Sequence, residues 1–153
     1  MLVNELPEEE LARVFYEYGE EFRSRAAAKV IVMARKKRRI QTTQELTKIL
    51  EPVLRKGKIH FATKVFQSLR IAVNDELGQL KKGLVTCVDH LSVGGIVAVI
   101  SFHSLEDRIV KWFFRENQKL EIKTKKPIEA TRDELKKNPR ARSAKLRYAR
   151  KLE

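Results

Sequence analysis

Residues 94–107 read Gly94-Gly95-Ile96-Val97-Ala98-Val99-Ile100-Ser101-Phe102-His103-Ser104-Leu105-Glu106-Asp107, and the succession of residue types along them decides the fold class. Residues 96–100 are mostly β-branched and wholly apolar, without polar alternation. That is the pattern of an inner parallel strand with helices over both faces. A polar turn follows at once. Ser104 suits an N-cap with Asp107 in the first helical turn. Ile109, Val110, Trp112, Phe113 and Phe114 give the next helix its apolar side. Helix, glycine pair, inner strand, polar turn and helix make an α/β unit. The polar turn lies at the carboxyl end of the strand, the edge where open α/β sheets hold ligands.

Upstream of this unit the periodicity is helical. Residues 7–18 predict a helix opened by Pro7 and the acids Glu8, Glu9 and Glu10, with Leu11, Val14, Phe15 and Tyr18 on one side and Gly19 as its stop. A second helix is expected over about 20–38, with Phe22, Ala26, Val30 and Met33 on its apolar side. It ends in Arg35-Lys36-Lys37-Arg38-Arg39. One or two cations suit a helix C-terminus, but five in a row repel one another. An anionic partner explains them better than a solvated helix end, which stays the alternative. Thr42-x-x-Glu45 is a capping-box pattern opening a third helix, with Leu46, Ile49, Leu50 and Val53 inward. Pro52, Gly57 and the basic run at 55–58 mark a loop. From 62 to 91 a long helical pattern carries Phe66, Leu69, Val73, Leu77, Leu80, Leu84 and Val88, with a bend expected at Gly78. Asn74 either caps a turn before that bend or points into a site. Cys87 reads as a buried core thiol. As the lone cysteine it excludes an intrachain disulfide or a cysteine-based zinc cluster.

Downstream, residues 120–124 alternate like an edge strand, 131–137 like a short helix broken by Asn138-Pro139, and 143–150 like a final antiparallel strand. The chain of 153 residues carries 33 Lys and Arg against 20 acids, net +13. Such a surface attracts polyanions, nucleic acid first and an anionic membrane surface second, against the plain alternative of a solvated surface. Residues 132–151 alone hold nine cations against two acids. Arg140, Arg142 and Lys145, beside Ser143 and a turn shaped by Asn-Pro, suit phosphate contacts. The opening residues lack the features of a signal peptide, and the most apolar stretch, 94–102, is too short to span a bilayer. No membrane association is expected, and a cytoplasmic location fits.

Candidate chemistry concentrates in the turn after residue 100. Two hydroxyls, an imidazole and two carboxylates sit together there. A serine-hydrolase reading needs Gly-x-Ser-x-Gly, which is absent. A metal reading needs converging ligands, and His60 and His90 are remote from His103 in sequence, so no metal is expected. Helix capping by Ser104 and Asp107 is the plain reading, with Ser101 and His103 left between structural and substrate roles. Neither a Gly-x-Gly-x-x-Gly nor a Gly-x-x-x-x-Gly-Lys-Ser/Thr loop occurs.

Three stretches bring a family into view. They are Phe61-Ala62-Thr63-Lys64-Val65-Phe66-Gln67-Ser68-Leu69-Arg70-Ile71-Ala72-Val73-Asn74-Asp75-Glu76-Leu77, Val99-Ile100-Ser101-Phe102-His103-Ser104-Leu105-Glu106-Asp107-Arg108-Ile109-Val110-Lys111, and Asn138-Pro139-Arg140-Ala141-Arg142-Ser143-Ala144-Lys145-Leu146-Arg147. In order and spacing they resemble the ribosomal RNA small subunit methyltransferase H family, also called MraW. Glu17-Tyr18-Gly19-Glu20-Glu21 and Thr42-Thr43 with Glu45-Leu46 match earlier landmarks of it. The resemblance implies an S-adenosylmethionine-dependent enzyme that methylates the exocyclic N4 of a cytidine in small-subunit ribosomal RNA. It implies a partial class I, Rossmann-like methyltransferase domain at 59–153 and a helical RNA-recognition insert at 1–58. The family's N-terminal Gly-Gly-His-type cofactor loop and acidic ribose-binding residue have no counterpart here. No cofactor-binding residue is carried over, and S-adenosylmethionine is not expected to bind this chain alone. Phe61 stands where the family usually has proline, Phe22-Arg23-Ser24 and Ala26-Ala27-Ala28 depart from an Arg-rich pattern, and Ile96 replaces an arginine.

The expectation is therefore the C-terminal portion of such an enzyme, inactive alone, from an internal start, a split gene or a truncated frame. Asn74, Ser101 and His103 are expected to line the target pocket. Arg35, Lys36, Lys37, Arg38, Arg39, Arg70, Arg140, Arg142 and Lys145 are expected to meet RNA. The alternatives are a stand-alone basic RNA-binding module, or a subunit pairing with a separately encoded cofactor half or with a second copy. With neighbouring strands missing, the strand at 96–100 should keep exposed apolar edges.

Overall fold

A computed structural model of the chain describes residues 2–54, 57 and 60–153. Most of the basic loop expected at 55–58 lies outside the described residues. The fold is α/β, with helices and a small antiparallel sheet, and it divides into two compact units, Met1–Glu76 and Leu77–Glu153. The compact-unit boundary thus follows Glu76, whereas the sequence reading drew its division after 58.

The first unit is helical: α1 (Leu2–Glu5), α2 (Glu8–Gly19), α3 (Ser24–Lys37), α4 (Thr43–Leu50) and α5 (Thr63–Asn74). Its core takes Leu11 and Phe15 from α2, Ala27, Ala28 and Ile31 from α3, Leu46 and Leu50 from α4, and Val65 from α5. Helix α2 packs on both α3 and α5. The α2–α5 approach is close enough to dictate a residue. A Cβ on Gly19 would lie 2.7 Å from the Lys64 carbonyl oxygen. Glu20 then turns the chain in the left-handed region, φ 49°, so the expected helix at 20–38 begins only at Ser24. Its apolar side is also rotated from expectation. Phe22 lies outside the helix, and Phe22, Ala26 and Met33 are exposed, while Ala27, Ala28 and Ile31 face inward. Small alanines at the buried positions let α3 approach α2, and that tertiary packing overrides the size of Phe22 and Met33. Helix α4 carries the expected capping box: Thr42 Oγ1 accepts from the Glu45 amide, and the Glu45 carboxylate accepts from the Thr42 amide.

The long pattern at 62–91 breaks at Asp75, φ 48°, three residues before Gly78, where the bend was expected. A short polar side chain tolerates the left-handed turn. Val73 is exposed rather than inward.

The second unit follows with α6 (Glu76–His90, in this unit from Leu77), β1 (Ile96–Ser101), α7 (Ser104–Glu116), β2 (Leu120–Ile122), β3 (Ile128–Glu129), α8 (Arg132–Lys137), a 3₁₀ turn (Pro139–Ser143) and β4 (Lys145–Lys151). The sheet order is β1-β4-β2, with β3 also on β4, and every pairing is antiparallel. Ile96 pairs with Arg150 and Ser101 with Lys145. The last strand is therefore central. The core holds Leu84 and Val88 of α6, Val97 of β1, Val110 and Phe114 of α7, Leu120, and Ala149 of β4. Cys87 is exposed, not buried, because α6 turns only the stripe through Leu80, Leu84 and Val88 inward. Trp112 is exposed as well. Strand β1 is not covered on both faces in this chain. Val97 and Ser101 are buried, but Ile96 is 60% and Ile100 58% exposed, so one face of β1 is open among the described residues.

The buried faces of β4 and α7 are tied by charge. Arg147 Nε donates to Asp107 Oδ1 at 2.6 Å and its NH2 to Oδ2 at 3.1 Å, with both side chains largely buried. This hydrogen bond and charge hold the Asp107 carboxyl below its ordinary value of 3.8, although burial acts the other way. A carboxyl depressed on folding stabilises fully above the ordinary carboxylate range, and that stabilisation is lost as pH falls through the depressed folded value. Asp107→Asn should cost about 3 kcal/mol near neutral pH by leaving the buried guanidinium uncompensated. Thermal melts should show the gap between the two proteins closing as the solution is acidified below the carboxylate range.

Candidate nucleic-acid interface and the turn at the end of β1

The turn between β1 and α7 is built by its own side chains. His103, with φ −144° and ψ 167°, takes the extended N-cap conformation that Ser104 was expected to take. Its Nδ1 accepts from the Glu106 amide at 3.3 Å. The Glu106 carboxylate accepts from the amides of Phe102 at 2.7 Å and His103 at 3.2 Å. The cap is therefore His103 with Glu106, and Ser104 is the first helical residue. An imidazole nitrogen serves as acceptor where serine usually does. With Nδ1 accepting, the neutral ring carries its proton on Nε2, which lies 3.3 Å from Glu106 Oε1. Asp107 is not a cap either; it holds Arg147.

Ser101 is 3% exposed, and its hydroxyl donates to the Lys145 carbonyl at 3.3 Å. So Ser101 and His103 share one short turn, and both are integrated in its hydrogen bonding. Asn74 belongs to the first unit, at the end of α5, where its amide donates to Glu76 Oε1 at 3.2 Å.

The cations proposed to meet RNA differ in their settings. Arg35 donates to the Val3 carbonyl at 2.9 Å, tying α3 to α1. Arg38 pairs with Glu45 at 3.1 Å and Arg39 with Glu5 at 3.3 Å, both at the surface. Arg70 grips Glu76 through two nitrogens, at 2.8 and 3.1 Å. Lys145 Nζ lies 3.9 Å from Asp107 Oδ2. Lys36, Lys37, Arg140 and Arg142 are exposed on α3 and on the 3₁₀ turn. Surface ion pairs hold little net energy, so Arg38 and Arg39 can exchange their carboxylates for phosphates. Sequence reasoning missed Lys151, whose Nζ donates to the carbonyls of Val88 and Leu91 at 2.8 and 2.7 Å. It also missed Glu106 as the partner that fixes the turn. The spacing of Glu106 three residues after His103 carried that signal, but Ser104 drew the cap assignment one residue along.

Comparison with known proteins gives a concordant picture. The model of the MraW methylase family matches residues 1–152. A Persephonella marina protein named Ribosomal RNA small subunit methyltransferase H is 51% identical over 158 residues, covering 99% of this chain and 54% of the relative. A protein of the same name from Synechocystis sp. is 53% identical, covering 99% of this chain and 50% of the relative. One from Picosynechococcus sp. is 54% identical over 97% of this chain. The chain spans about half the length of these curated relatives.

Glu106→Ala removes the acceptor of two backbone donors and half of the capping box. It should destabilise the chain by about 1 kcal/mol, a fall of roughly 2–4 °C in Tm. Ser104→Ala should shift Tm by less. Equal shifts for the two variants would return the cap to Ser104.

Proposed function

Because this chain belongs to the MraW methylase family, we propose that it is the RNA-facing, C-terminal portion of an S-adenosylmethionine-dependent methyltransferase acting on the N4 of a cytidine in small-subunit ribosomal RNA. The observation that carries the reading is identity above 50%, over almost the whole chain, to proteins named for that RNA. The exposed cations of α3 and of the 3₁₀ turn support it electrostatically. The reading takes residues 59–153 as part of a Rossmann-like methyltransferase domain and 1–58 as most of a helical recognition insert. It places the protein in the cytoplasm; among the described residues, no helix is long and apolar enough to cross a membrane.

Methyl transfer is proposed to need a cofactor-holding segment outside this chain. The support is the closed end of α7. In open α/β sheets a nucleotide-like ligand lies at the carboxyl ends of the strands, where a strand-to-helix turn can offer backbone amides. Here Glu106 already accepts from the amides of Phe102 and His103. The amides of Phe102 and His103 are therefore not open to a ligand at this turn, and no step is derived through S-adenosylmethionine. What they can do is bind and orient RNA. Ser101 and His103 from the second unit, and Asn74 from the first, are each proposed to contact the target nucleoside. The cap fixes the His103 ring beside Glu106. Fixing the base is a large part of the work in such a transfer, because orientation replaces translational and rotational search. A second reading, a basic module that binds RNA without catalysis, rests on those same exposed cations. A second copy or a separately encoded half remains the proposed partner for the open edge of β1.

Purified alone and supplied with S-adenosylmethionine and small-subunit RNA, the chain should show no methyl transfer; clear turnover would overturn the proposed dependence on another segment. RNA affinity should fall steeply with salt. Arg140→Ala with Arg142→Ala should flatten the plot of log affinity against log salt by about 0.7–0.9 for each phosphate no longer neutralised. An unchanged slope would remove the 3₁₀ turn from the interface.

A further inference from the structure

The turn between α2 and α3 presents an aromatic ring to solvent without using it in the core. Phe22 is 83% exposed, the most exposed large apolar residue among those described. Beside it opens a cavity of about 450 Å³, lined by Glu21, Phe22, Arg23, Gly57, His60, Phe61 and Lys64. That size lies within the range of small-ligand clefts, roughly 300–1,000 Å³. His60 and Phe61 stack on each other, with centroids 4.3 Å apart and planes 28° apart. Lys64 Nζ lies 5.5 Å from the centroid of the Phe22 ring. Arg23 is exposed at the same rim.

The platform is held in place by the backbone. The bare Cα of Gly19 lets the first turn of α5 approach, and Lys64 donates to the Glu20 carbonyl at 2.9 Å. Arg23 donates to the Val53 carbonyl at 2.9 Å, and its amide donates to Glu21 Oε1, also at 2.9 Å. Phe22 is thus carried on a turn fixed at both sides, so its ring can be covered at little ordering cost. Exposed aromatic faces among cations are what unpaired nucleobases stack on: the base takes the ring, and the cations take the adjoining phosphates. The apolar core has no need of Phe22, and a single lysine over the ring leaves most of its surface to water.

We propose that Phe22, with the His60–Phe61 stack, Arg23 and Lys64, forms a stacking site for an unpaired nucleobase of the RNA, separate from the exposed cations of α3 and of the 3₁₀ turn. The proposal rests on the reading of this chain as RNA-facing and adds a single-strand contact to it. Three properties follow. The site selects single-stranded over duplex RNA. It tolerates any base, because every base has a π face. Its loss weakens affinity without changing salt dependence, since a phenyl ring releases no counterion.

The test measures affinity of the 153-residue chain and its variants for a short single-stranded RNA, for the same strand carrying abasic positions, and for a duplex. Phe22→Ala should weaken binding of the single strand about ten-fold, leave the duplex and the abasic strand nearly unchanged, and keep the salt slope. Phe22→Tyr should restore affinity. Lys36→Ala with Lys37→Ala should instead flatten the salt slope for every ligand. Because Phe22 is exposed, its alanine variant should keep the wild-type Tm, which is checked alongside. Wild-type binding with no loss in Phe22→Ala, or equal loss for the intact and abasic strands, would overturn the stacking site and leave the RNA-facing reading standing. Absence of RNA binding by the wild-type chain would overturn both.

Discussion

A guanidinium cannot shed its proton, so a buried arginine must bring its anion with it. Arg147 lies at the middle of the central strand β4, 6% exposed, and Asp107 in the first turn of α7 is the anion it meets. That one pairing ties the first turn of α7 to β4. The constraint extends along the strand. Lys145, Arg147, Ala149 and Lys151 alternate onto one face of β4. Lys145 also approaches Asp107, and Lys151 reaches the last carbonyls of α6. Cations on an inner sheet face are thus neutralised by an acid at one helix N-terminus and by carbonyls at another helix C-terminus, each matching the sign of the macrodipole there. Ala149, fully buried between them, is small enough to let the helices close over the sheet.

The same accounting separates two populations within the positive charge. Long-range attraction depends on all of it, because a paired cation and its acid still sum into the field of the whole surface. Direct phosphate contact depends on what a side chain would give up to make it. Arg147 and Lys151 would break the fold; Arg35 would release the α1 carbonyl it holds. Arg38 and Arg39 would give up only exposed pairs, and Lys36, Lys37, Arg140 and Arg142 stand exposed already. A net charge of +13 therefore favours polyanions, while the arrangement of pairs decides which cations are free to meet a phosphate.

What the sequence disclosed was what local chemistry determines. The capping box at Thr42 and Glu45, the helices around 8–19 and 104–116, and an antiparallel strand ending the chain all follow from spacings of a few residues. What it concealed was set by partners far along the chain. The inward side of α3 depends on α2, which favours Ala27, Ala28 and Ile31 over the larger Phe22 and Met33. Period-two alternation in β4 showed that Arg147 and Lys145 share a face, but not that the face is buried, because Asp107 lies 40 residues earlier. The break before α6 went to Asp75 instead of Gly78 because an aspartate can adopt the left-handed turn and the backbone needs only one. The turn between strand and helix falls where it was expected, yet its capping roles shifted by one residue, since histidine is an uncommon cap.

That shift bears on how a strand-end turn should be read for ligand binding. Position alone makes the end of β1 a candidate pocket, but capacity depends on whether its backbone amides are open. Here Glu106 occupies the amides of Phe102 and His103, so the turn is held rigid by its own side chains. The opposite condition holds along β1 itself. Strand β1 ends the strand order among the described residues, and residues 96–101 carry no charge and no proline. Natural sheets guard a permanent edge with lysine, proline or a bulge, because an open apolar edge recruits other strands. An unguarded edge beside a closed helix end is a coherent combination for the proposed reading: the segment that covers β1 would also bring the open amides that α7 does not offer.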